Sequence, residues 1–294
     1  MFTLPVLVAS LTFVFLLAAS WFDLRTGEIP DKITLGLTAV MIVFAGFVSL
    51  LESNISFIFF AVLVGLFYFI LAYILYYLGE WGGGDVKLIA GVGCSLGLLK
   101  VAGYLNEGLL PYYADYLVNI ALVSSPYVLV YTLVLGLLKP SVFTVFRQTL
   151  KSRVVQLLLF VSALPFVSAY FIGLNSLAFL YLMIPFFVLL SVYLKVVEKE
   201  ALQKTVGVDE LEEEDVVAED LFVDGVKLAS SRDISGLTGV DIDKIRALAD
   251  EGRIPKSLRI KWGVRFAPIF FFAYVLSVFY GNALEVLVVY LVGL

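Results

Sequence analysis

Long runs of residues without a charged side chain are the feature that most constrains this fold. One run extends from Ser53 to Gly79, and another extends from Val154 to Leu194. A helix needs about 20 mostly apolar residues to cross a bilayer, so each run is long enough for at least one crossing. Hydrophobic residues make up 61% of the chain, against roughly half in soluble domains. The sequence therefore predicts an integral membrane protein built from helices.

The apolar runs predict an all-α polytopic membrane protein with about eight transmembrane helices, within a range of six to eight. The run from Val154 to Leu194 is too long for one crossing, and residues 173–176 supply a seam that divides it. The span at 87–104 carries Lys87 and Lys100, and its many small residues predict that it packs inside the bundle. The predicted spans are 2–22, 33–51, 57–78, 87–104, 117–138, 154–172, 176–194 and 266–284.

The basic residues predict how the spans are oriented. If the N-terminus is outside, all but one of the 20 Lys and Arg residues fall in cytoplasmic segments. Lys100 is the exception, and a lysine side chain can extend to a lipid headgroup. Cytoplasmic loops carry such an excess of positive charge. We therefore predict a multi-pass protein of the cell membrane with its N-terminus outside.

Changes in composition divide the chain into four segments. Acidity is concentrated in one of them, since 16 of the 25 carboxylates lie between Glu198 and Glu251. In that segment Thr238 and Asp241 predict a helix start, and Gly252 predicts its end. Residues 1–22 are interpreted as an anchor, with a cleaved signal peptide as the minor alternative, because no basic residue precedes the apolar run. The predicted segments are a membrane core at 1–105, further transmembrane helices with a basic cytoplasmic loop (139–153) at 106–197, an acidic cytoplasmic insert at 198–262 and a C-terminal transmembrane helix at 263–294.

The residue types that are missing exclude several kinds of site. The chain has no histidine and a single cysteine, Cys94. A Ser-His-Asp triad, a Cys-His pair and a zinc site of the HExxH type therefore cannot form, and no internal disulfide is possible. If the chain is an enzyme, its acid–base chemistry must come from Asp, Glu, Lys or Tyr, and we expect neither a metal nor another cofactor. The absence of a basic stripe with interleaved aromatic residues predicts no nucleic-acid partner.

Two aspartates lie where predicted membrane helices begin or end. Gly82, Gly83 and Gly84 precede Asp85, and glycine permits a break in a helix and leaves room for another backbone to approach. Asp23 lies at the predicted inner end of the first span. Because two crossings separate the two aspartates, they are predicted to lie on the same cytoplasmic side of the membrane.

Neighbouring carboxyl groups at such a place would share one proton, because two carboxylates that close cannot both ionise easily. The ionised member can take a proton from water while the protonated member polarises a carbonyl group. Together these steps hydrolyse a peptide bond by acid–base catalysis without a covalent intermediate. Asp23 and Asp85 are therefore the candidate catalytic residues. The three glycines and Lys87 are candidates for binding the substrate or shaping the site.

Less specific interpretations of the same residues stay open. Carboxylates at a membrane edge are usually solvated. Glu80 is an alternative to Asp85 as the second acid of the site. The simpler role of Lys87 is to anchor the chain at the inner membrane surface. A proton-coupled transporter or channel also uses membrane carboxylates, although these commonly lie near the middle of the bilayer. A serine–lysine peptidase that uses Ser20 and Lys87, and an assembly scaffold without chemistry, are further alternatives.

The aspartate motifs resemble those of the GxGD membrane aspartyl proteases. The segment from Gly82 to Asp85 matches their glycine-x-glycine-aspartate pattern. Asp23, followed by Ile29-Pro30-Asp31, is similar to the first aspartate segment of the type IV prepilin peptidases, which include the archaeal preflagellin (archaellin) peptidases. Lys87 matches a lysine found two residues after their second aspartate. Presenilin-type members are less similar because Phe22 stands where they have a tyrosine.

This resemblance implies an aspartic endopeptidase with a defined class of substrate. The substrates would be type IV pilin-like or archaellin precursors, which carry a short basic leader on the cytoplasmic side followed by an apolar helix. The enzyme would cut between leader and helix at the cytoplasmic membrane face, with membrane lipid around it and without a cofactor. Residues 258–277 resemble the archaeal branch of the family. Since the chain lacks the cysteine-rich segment of the bacterial branch, no methyltransferase activity is expected.

Overall fold

The fold follows from a computed structural model that describes residues 3–105, 110–213, 215–223, 225–231, 233 and 236–292. Within these residues the chain forms twelve α-helices and four short β-strands. The helices are α1 (Thr3–Thr26), α2 (Asp31–Leu51), α3 (Ser56–Tyr77), α4 (Gly83–Val101), α5 (Tyr112–Leu138), α6 (Pro140–Thr149), α7 (Arg153–Phe171), α8 (Asn175–Tyr181), α9 (Met183–Glu200), α10 (Gly239–Asp250), α11 (Ala267–Tyr280) and α12 (Ala283–Val292). The strands are β1 (Gln203–Gly207), β2 (Leu221–Val223), β3 (Val226–Ala229) and β4 (Ser257–Lys261).

The expected all-α polytopic membrane protein is confirmed. Six helices in the described ranges are long and apolar enough to cross a membrane. The number rises to seven if α11 and α12, which meet at a bend of 56°, form one broken span. The predicted span at 87–104 corresponds to α4, which is not one of the six because it carries Asp85, Lys87 and Lys100. The number of spans thus falls within the range expected from the sequence.

The chain forms two compact units, and the boundary between them lies within α5. The first unit comprises Met1–Tyr127 with Arg265–Leu294, and the second comprises Val128–Val264. The first unit therefore unites the first part of the chain with the last, because α11 and α12 return to it.

Helix α4 forms the centre of the first unit. Every residue from Leu88 to Leu99 is buried, and the helix packs against α1, α2 and α3. Its small residues allow this, since a Cβ at Gly93 or Gly97 would collide with backbone atoms of α3. Close approach of two backbones at small residues is the usual way in which membrane helices associate. The prediction that this segment packs inside the bundle is confirmed.

Buried polar side chains fix α11 against its neighbours in the first unit. The Thr12 hydroxyl donates to Ser95 Oγ at 2.7 Å, and Ser95 Oγ lies 2.9 Å from the Tyr274 hydroxyl. The Tyr116 hydroxyl donates to the Phe270 carbonyl at 3.2 Å. Helices α4 and α5 therefore each contact α11 through a buried hydrogen-bonded group, and α1 joins this network through Ser95, which specifies the position of α11 along its own axis.

The second unit differs from the sequence-based expectation in its basic segment. Residues 139–153 were expected to form a loop, but most of them form the helix α6. Pro140 begins this helix, where its missing N–H leaves no hydrogen bond unmade. Val142 is fully buried against Val196 and Val197 of α9. This packing, which local composition does not reveal, explains why the segment is a helix.

The acidic insert of the second unit contains strands that the sequence did not predict. Strand β1 pairs with β4 in an antiparallel register that joins Gln203 to Lys261, and β2 pairs with β3. Residues 214, 224, 232, 234 and 235 of the insert lie outside the described residues. The insert has an apolar core of its own, formed by Val208, Leu211, Val217, Leu237, Ile242, Ile245, Ala249 and Ile254.

Helix α10 confirms the helix predicted inside the insert. Its N-cap is Thr238, whose hydroxyl accepts from the Asp241 N–H at 3.3 Å, while the Asp241 carboxylate accepts from the Thr238 N–H at 3.1 Å. Ile242, Ile245 and Ala249 are buried on one face. Gly252 follows the helix with a φ of +72°, a conformation that favours glycine.

Removing this cap is expected to loosen α10. Thr238→Ala should destabilise the helix by about 1 kcal/mol, measured as faster hydrogen exchange of the α10 amides. The Thr238 hydroxyl and N–H also hold the pKa of Asp241 below its usual value of 3.8. The ionised Asp241 side chain therefore contributes to the free energy of unfolding above pH 3.8, and this contribution is lost as the pH falls through the lower pKa of the folded state. Asp243→Asn is the control, since it removes a charge from the same exposed helix without removing a cap; equal exchange in the two variants would contradict the prediction.

Candidate active site

Asp23 lies in the last turn of α1 and is almost completely buried. Its side chain is only 6% exposed, and its Oδ2 accepts a hydrogen bond from the Ala267 N–H at 2.9 Å. Ala267 is the first residue of α11, where backbone N–H groups have no partner within the helix. The positive end of the helix dipole also lies there. A carboxylate from the beginning of the chain thus occupies the N-terminus of a helix from its end.

The turn after Asp23 is held by Arg265. Helix α1 ends at Thr26. Gly27 follows with a φ of +87°, and its N–H donates to the Asp23 carbonyl at 2.9 Å. The Arg265 Nη1 donates to the Gly27 carbonyl at 3.2 Å. The guanidinium occupies the space that a Cβ at Gly27 would fill. Both the backbone conformation and this contact therefore require glycine at position 27.

Asp85 lies in the first turn of α4. Gly82 is the N-cap with extended backbone angles, and its N–H donates to Asp85 Oδ2 at 3.1 Å. The aspartate thereby satisfies an N–H group at the start of the helix. The Asp85 side chain is only partly buried, so water and a substrate have access to it.

The glycines before Asp85 have different surroundings. A Cβ at Gly84 would lie 3.4 Å from Ile29, so its lack of a side chain lets the turn after α1 pack on the first turn of α4. A Cβ at Gly83 would make only ordinary contact with Tyr76, at 3.9 Å. Gly82 supplies the cap. That these glycines also admit a substrate backbone stays a prediction.

The structure brings Asp23 and Asp85 together at one end of the first unit. Helices α1 and α4 pack against each other, and Asp23 lies close enough to Asp85 to act on it electrostatically. Trp81, just before the glycines, packs on Phe270 of α11 with ring centroids 5.1 Å apart. Three chain segments that are distant in sequence therefore meet at this end.

Lys87 pairs with a carboxylate near the two aspartates. Its Nζ lies 2.6 Å from Asp31 Oδ1, and Asp31 is the first residue of α2. Both side chains are well exposed, at 39% and 61%, so the pair contributes at most about 1 kcal/mol to stability. Lys87 thus links α4 to α2 beside the site.

The competing residues lie elsewhere or have other partners. Glu80 is exposed, and its backbone N–H donates to the Leu75 carbonyl at 2.9 Å at the end of α3. The Ser20 hydroxyl donates to the Leu16 carbonyl in its own helix at 2.8 Å. Since Lys87 is paired with Asp31, the serine–lysine alternative has no geometric support.

Arg265, Ala267 and Trp81 also lie at this site, and none of them was predicted from the sequence. Arg265 and Ala267 contact the Asp23 segment from more than 200 positions away in the chain. The only local signal was a basic residue followed by Ala267-Pro268 at the start of an apolar span, which marks a helix start. No group of three or more His, Cys, Asp or Glu residues capable of holding a metal ion occurs in the described part of the chain.

Comparison with known proteins agrees with this geometry. Residues 10–141 match the type IV leader peptidase family, and this range contains both aspartate motifs. The prepilin peptidase EppA of Methanothermobacter thermautotrophicus is 25% identical over 367 aligned positions, which cover 94% of this chain and 95% of the relative. No solved structure matches the chain. Residues 10–141 are therefore similar to the type IV leader peptidase family, and they include both aspartates of the candidate site.

Proposed function

We propose that this protein is a leader peptidase of the aspartic type, in which Asp23 and Asp85 form the catalytic pair. The observation that carries the proposal is the meeting of two carboxyl groups at one end of the bundle, one at the end of α1 and one at the start of α4. The family match over residues 10–141 supports the reaction class. Because the chain has no histidine and its only cysteine, Cys94, is buried, a carboxyl pair is the chemically simplest source of acid and base.

The reaction would need one carboxylate and one carboxylic acid. The carboxylate takes a proton from water as the water oxygen attacks the carbonyl carbon of the scissile peptide bond, and the carboxylic acid gives its proton to the carbonyl oxygen. The tetrahedral intermediate then collapses and the C–N bond breaks. The leaving nitrogen receives a proton from the carboxyl group that took one from water, and the other carboxylate takes back the proton of the hydroxyl group that becomes the product's carbonyl oxygen. The pair ends with one proton, as it began, ready for another turnover.

The substrates would be type IV pilin-like or archaellin precursors. Their basic leader lies on the cytoplasmic side and an apolar helix follows it. A cytoplasmic site fits the orientation in which the N-terminus is outside, because the ends of α1 and α4 that carry the aspartates then face the side with the excess of Lys and Arg. The substrate helix would lie in the bilayer beside the bundle.

Purified protein mixed with such a precursor in detergent tests this function. We expect the precursor to lose its leader, and mass spectrometry of the product should place the new N-terminus between leader and apolar helix. The rival function is a proton-coupled transporter. A precursor that keeps its full mass, together with a proton flux in proteoliposomes that depends on Asp23, would favour the rival and reject the peptidase.

Glu28 is the exposed acid best placed to attract a basic leader. It lies in the turn between α1 and α2, five positions after Asp23, and is exposed, whereas its neighbour Asp31 is paired with Lys87. Since charges at the rim of an interface mainly affect association, Glu28→Gln should raise KM about three- to tenfold and leave kcat nearly unchanged.

Steady-state cleavage of precursors with basic and with neutralised leaders measures this effect. With the neutralised leader, Glu28→Gln and the wild-type protein should have the same KM. Glu52→Gln, at an exposed acid that follows the opposite end of α2, is the matched control and should behave as wild type. An unchanged KM in Glu28→Gln would contradict the role of this acid.

A further inference from the structure

Arg265 is a buried charge next to the first aspartate. It is only 9% exposed, and an arginine is almost never buried to this extent unless it is paired. Its Nη1 donates to the Gly27 carbonyl, but a neutral carbonyl does not balance a charge. Asp23 is a nearby group of opposite charge, and Arg265 acts on it electrostatically.

Three consecutive residues before and at the start of α11 contact both aspartate segments. Arg265 binds the turn after Asp23 through Gly27, and Ala267 donates its N–H to the Asp23 carboxylate. Phe266, between them, packs on Trp81 with ring centroids 6.1 Å apart. Trp81 directly precedes the glycines that lead to Asp85. The segment 265–267 is therefore placed to set the position of both carboxyl groups.

The two carboxyl groups have unequal surroundings. Arg265, from the segment before α11, acts electrostatically on Asp23, and Asp23 in turn acts on Asp85 of α4. Asp23 also accepts the Ala267 N–H at the N-terminus of α11. Asp85 accepts an N–H of its own helix from Gly82 and has the negative charge of Asp23 nearby. When two carboxyl groups share one proton, a nearby cation favours the charge on the group that it faces.

We propose that Arg265 is a positioning residue that holds Asp23 as the ionised member of the pair, so that Asp23 acts as the base and Asp85 as the acid. This inference rests on the proposed function and adds an assignment of roles to it. Asp23 takes the proton of the attacking water, and Asp85 gives its proton to the carbonyl oxygen. On collapse of the intermediate, Asp23 passes its proton to the leaving nitrogen and Asp85 regains the proton of the hydroxyl group, so both return to their starting states.

Arg265→Gln tests this assignment. The variant should lower kcat about 30-fold, within the loss of about 10²-fold that a misplacement of about 1 Å can cause, while KM stays within about threefold. The acid limb of the kcat/KM profile should move to higher pH by up to about one unit, because the charge that favours the ionised base is gone. Arg265→Lys keeps the charge and should recover most of kcat and the wild-type acid limb.

A control variant and several named results can contradict the assignment of roles. Arg259→Gln removes an exposed positive charge from β4 and should leave both kcat and the profile at wild-type values. A wild-type kcat in Arg265→Gln, or a lower kcat with an unmoved acid limb, overturns the assignment. If Arg265→Gln does not reach the membrane folded, Arg265→Lys decides the question, and a shifted acid limb in that variant overturns the proposal. Activity in Asp23→Asn or Asp85→Asn would instead reject the proposed function itself.

Discussion

Asp23→Asn and Asp85→Asn are each expected to lower the rate of leader removal by at least about 10³-fold. A well-placed acid or base contributes about 10²- to 10⁴-fold to a rate, and a loss of 10³-fold corresponds to about 4 kcal/mol of transition-state stabilisation. Asparagine has nearly the same shape as aspartic acid, but it can neither take the proton of water nor give one to a carbonyl oxygen. Because acid and base act as one unit, the double variant should lose little more than either single variant.

Both variants should remain folded, so the loss can be assigned to chemistry. An asparagine at position 23 can still accept the Ala267 N–H, and one at position 85 can still accept the Gly82 N–H. Cleavage of one precursor by equal amounts of membrane-inserted protein is the measurement. Glu80→Gln is the matched control, since Glu80 is the exposed carboxylate five positions before Asp85 and should be dispensable. Retention of more than a tenth of the wild-type rate by either aspartate variant would falsify the paired mechanism.

Much of the fold and the location of this pair could be predicted because both depend on counting crossings. Uncharged runs show where helices cross the membrane. With α2 and α3 between them, the end of α1 and the start of α4 must lie on the same side if both intervening helices cross. The three glycines before Asp85 single out this aspartate, and the GxGD resemblance agrees with them. Locating the spans, counting the crossings and recognising the motif before Asp85 do not require knowledge of which helices are neighbours.

The groups that surround the pair could not be predicted in the same way. Arg265 and Ala267 reach Asp23 only because α11 returns to the first unit, and the sequence of α11 does not state its neighbours. The strands of the insert were missed for a similar reason. Strands β1 and β4 pair over a separation of 50 to 58 residues, and the short alternation of Leu258 and Ile260 in β4 does not identify the partner strand.

Helix α4 carries Asp85, so its packing against α3 should be as important to activity as the carboxyl groups. Gly97 lies where the two backbones are closest, and a Cβ at this position would collide with the carbonyl group of Phe60 and the nitrogen of Ala61. Backbone atoms of a neighbouring helix cannot move aside as a flexible side chain can. Gly97→Ala is therefore expected to destabilise the first unit by about 3 kcal/mol, at the upper end of the usual cost of overpacking.

Cys94 offers a direct measurement of this effect. It is the only cysteine of the chain, it is 2% exposed, and it lies one turn before Gly97, against Gly65 of α3. A thiol-reactive dye should label it only after α3 and α4 separate, and in Gly97→Ala this labelling should begin at a clearly lower temperature. Gly46→Ala is the control, because nothing lies within 4 Å of a Cβ at that position of α2 and alanine favours a helix over glycine.

The activity of Gly97→Ala separates the packing of α4 from the chemistry of its first turn. Gly97 lies more than three helical turns from Asp85 and does not touch the candidate site. If separation of α4 from α3 shifts Asp85 relative to Asp23, cleavage should fall at temperatures where the protein is still folded, while precursor binding persists. A variant that labels early but cleaves at the wild-type rate below its transition would contradict this coupling. It would mean that Asp85 is positioned by Gly82, Ile29 and the turn after α1 alone, independently of the rest of its helix.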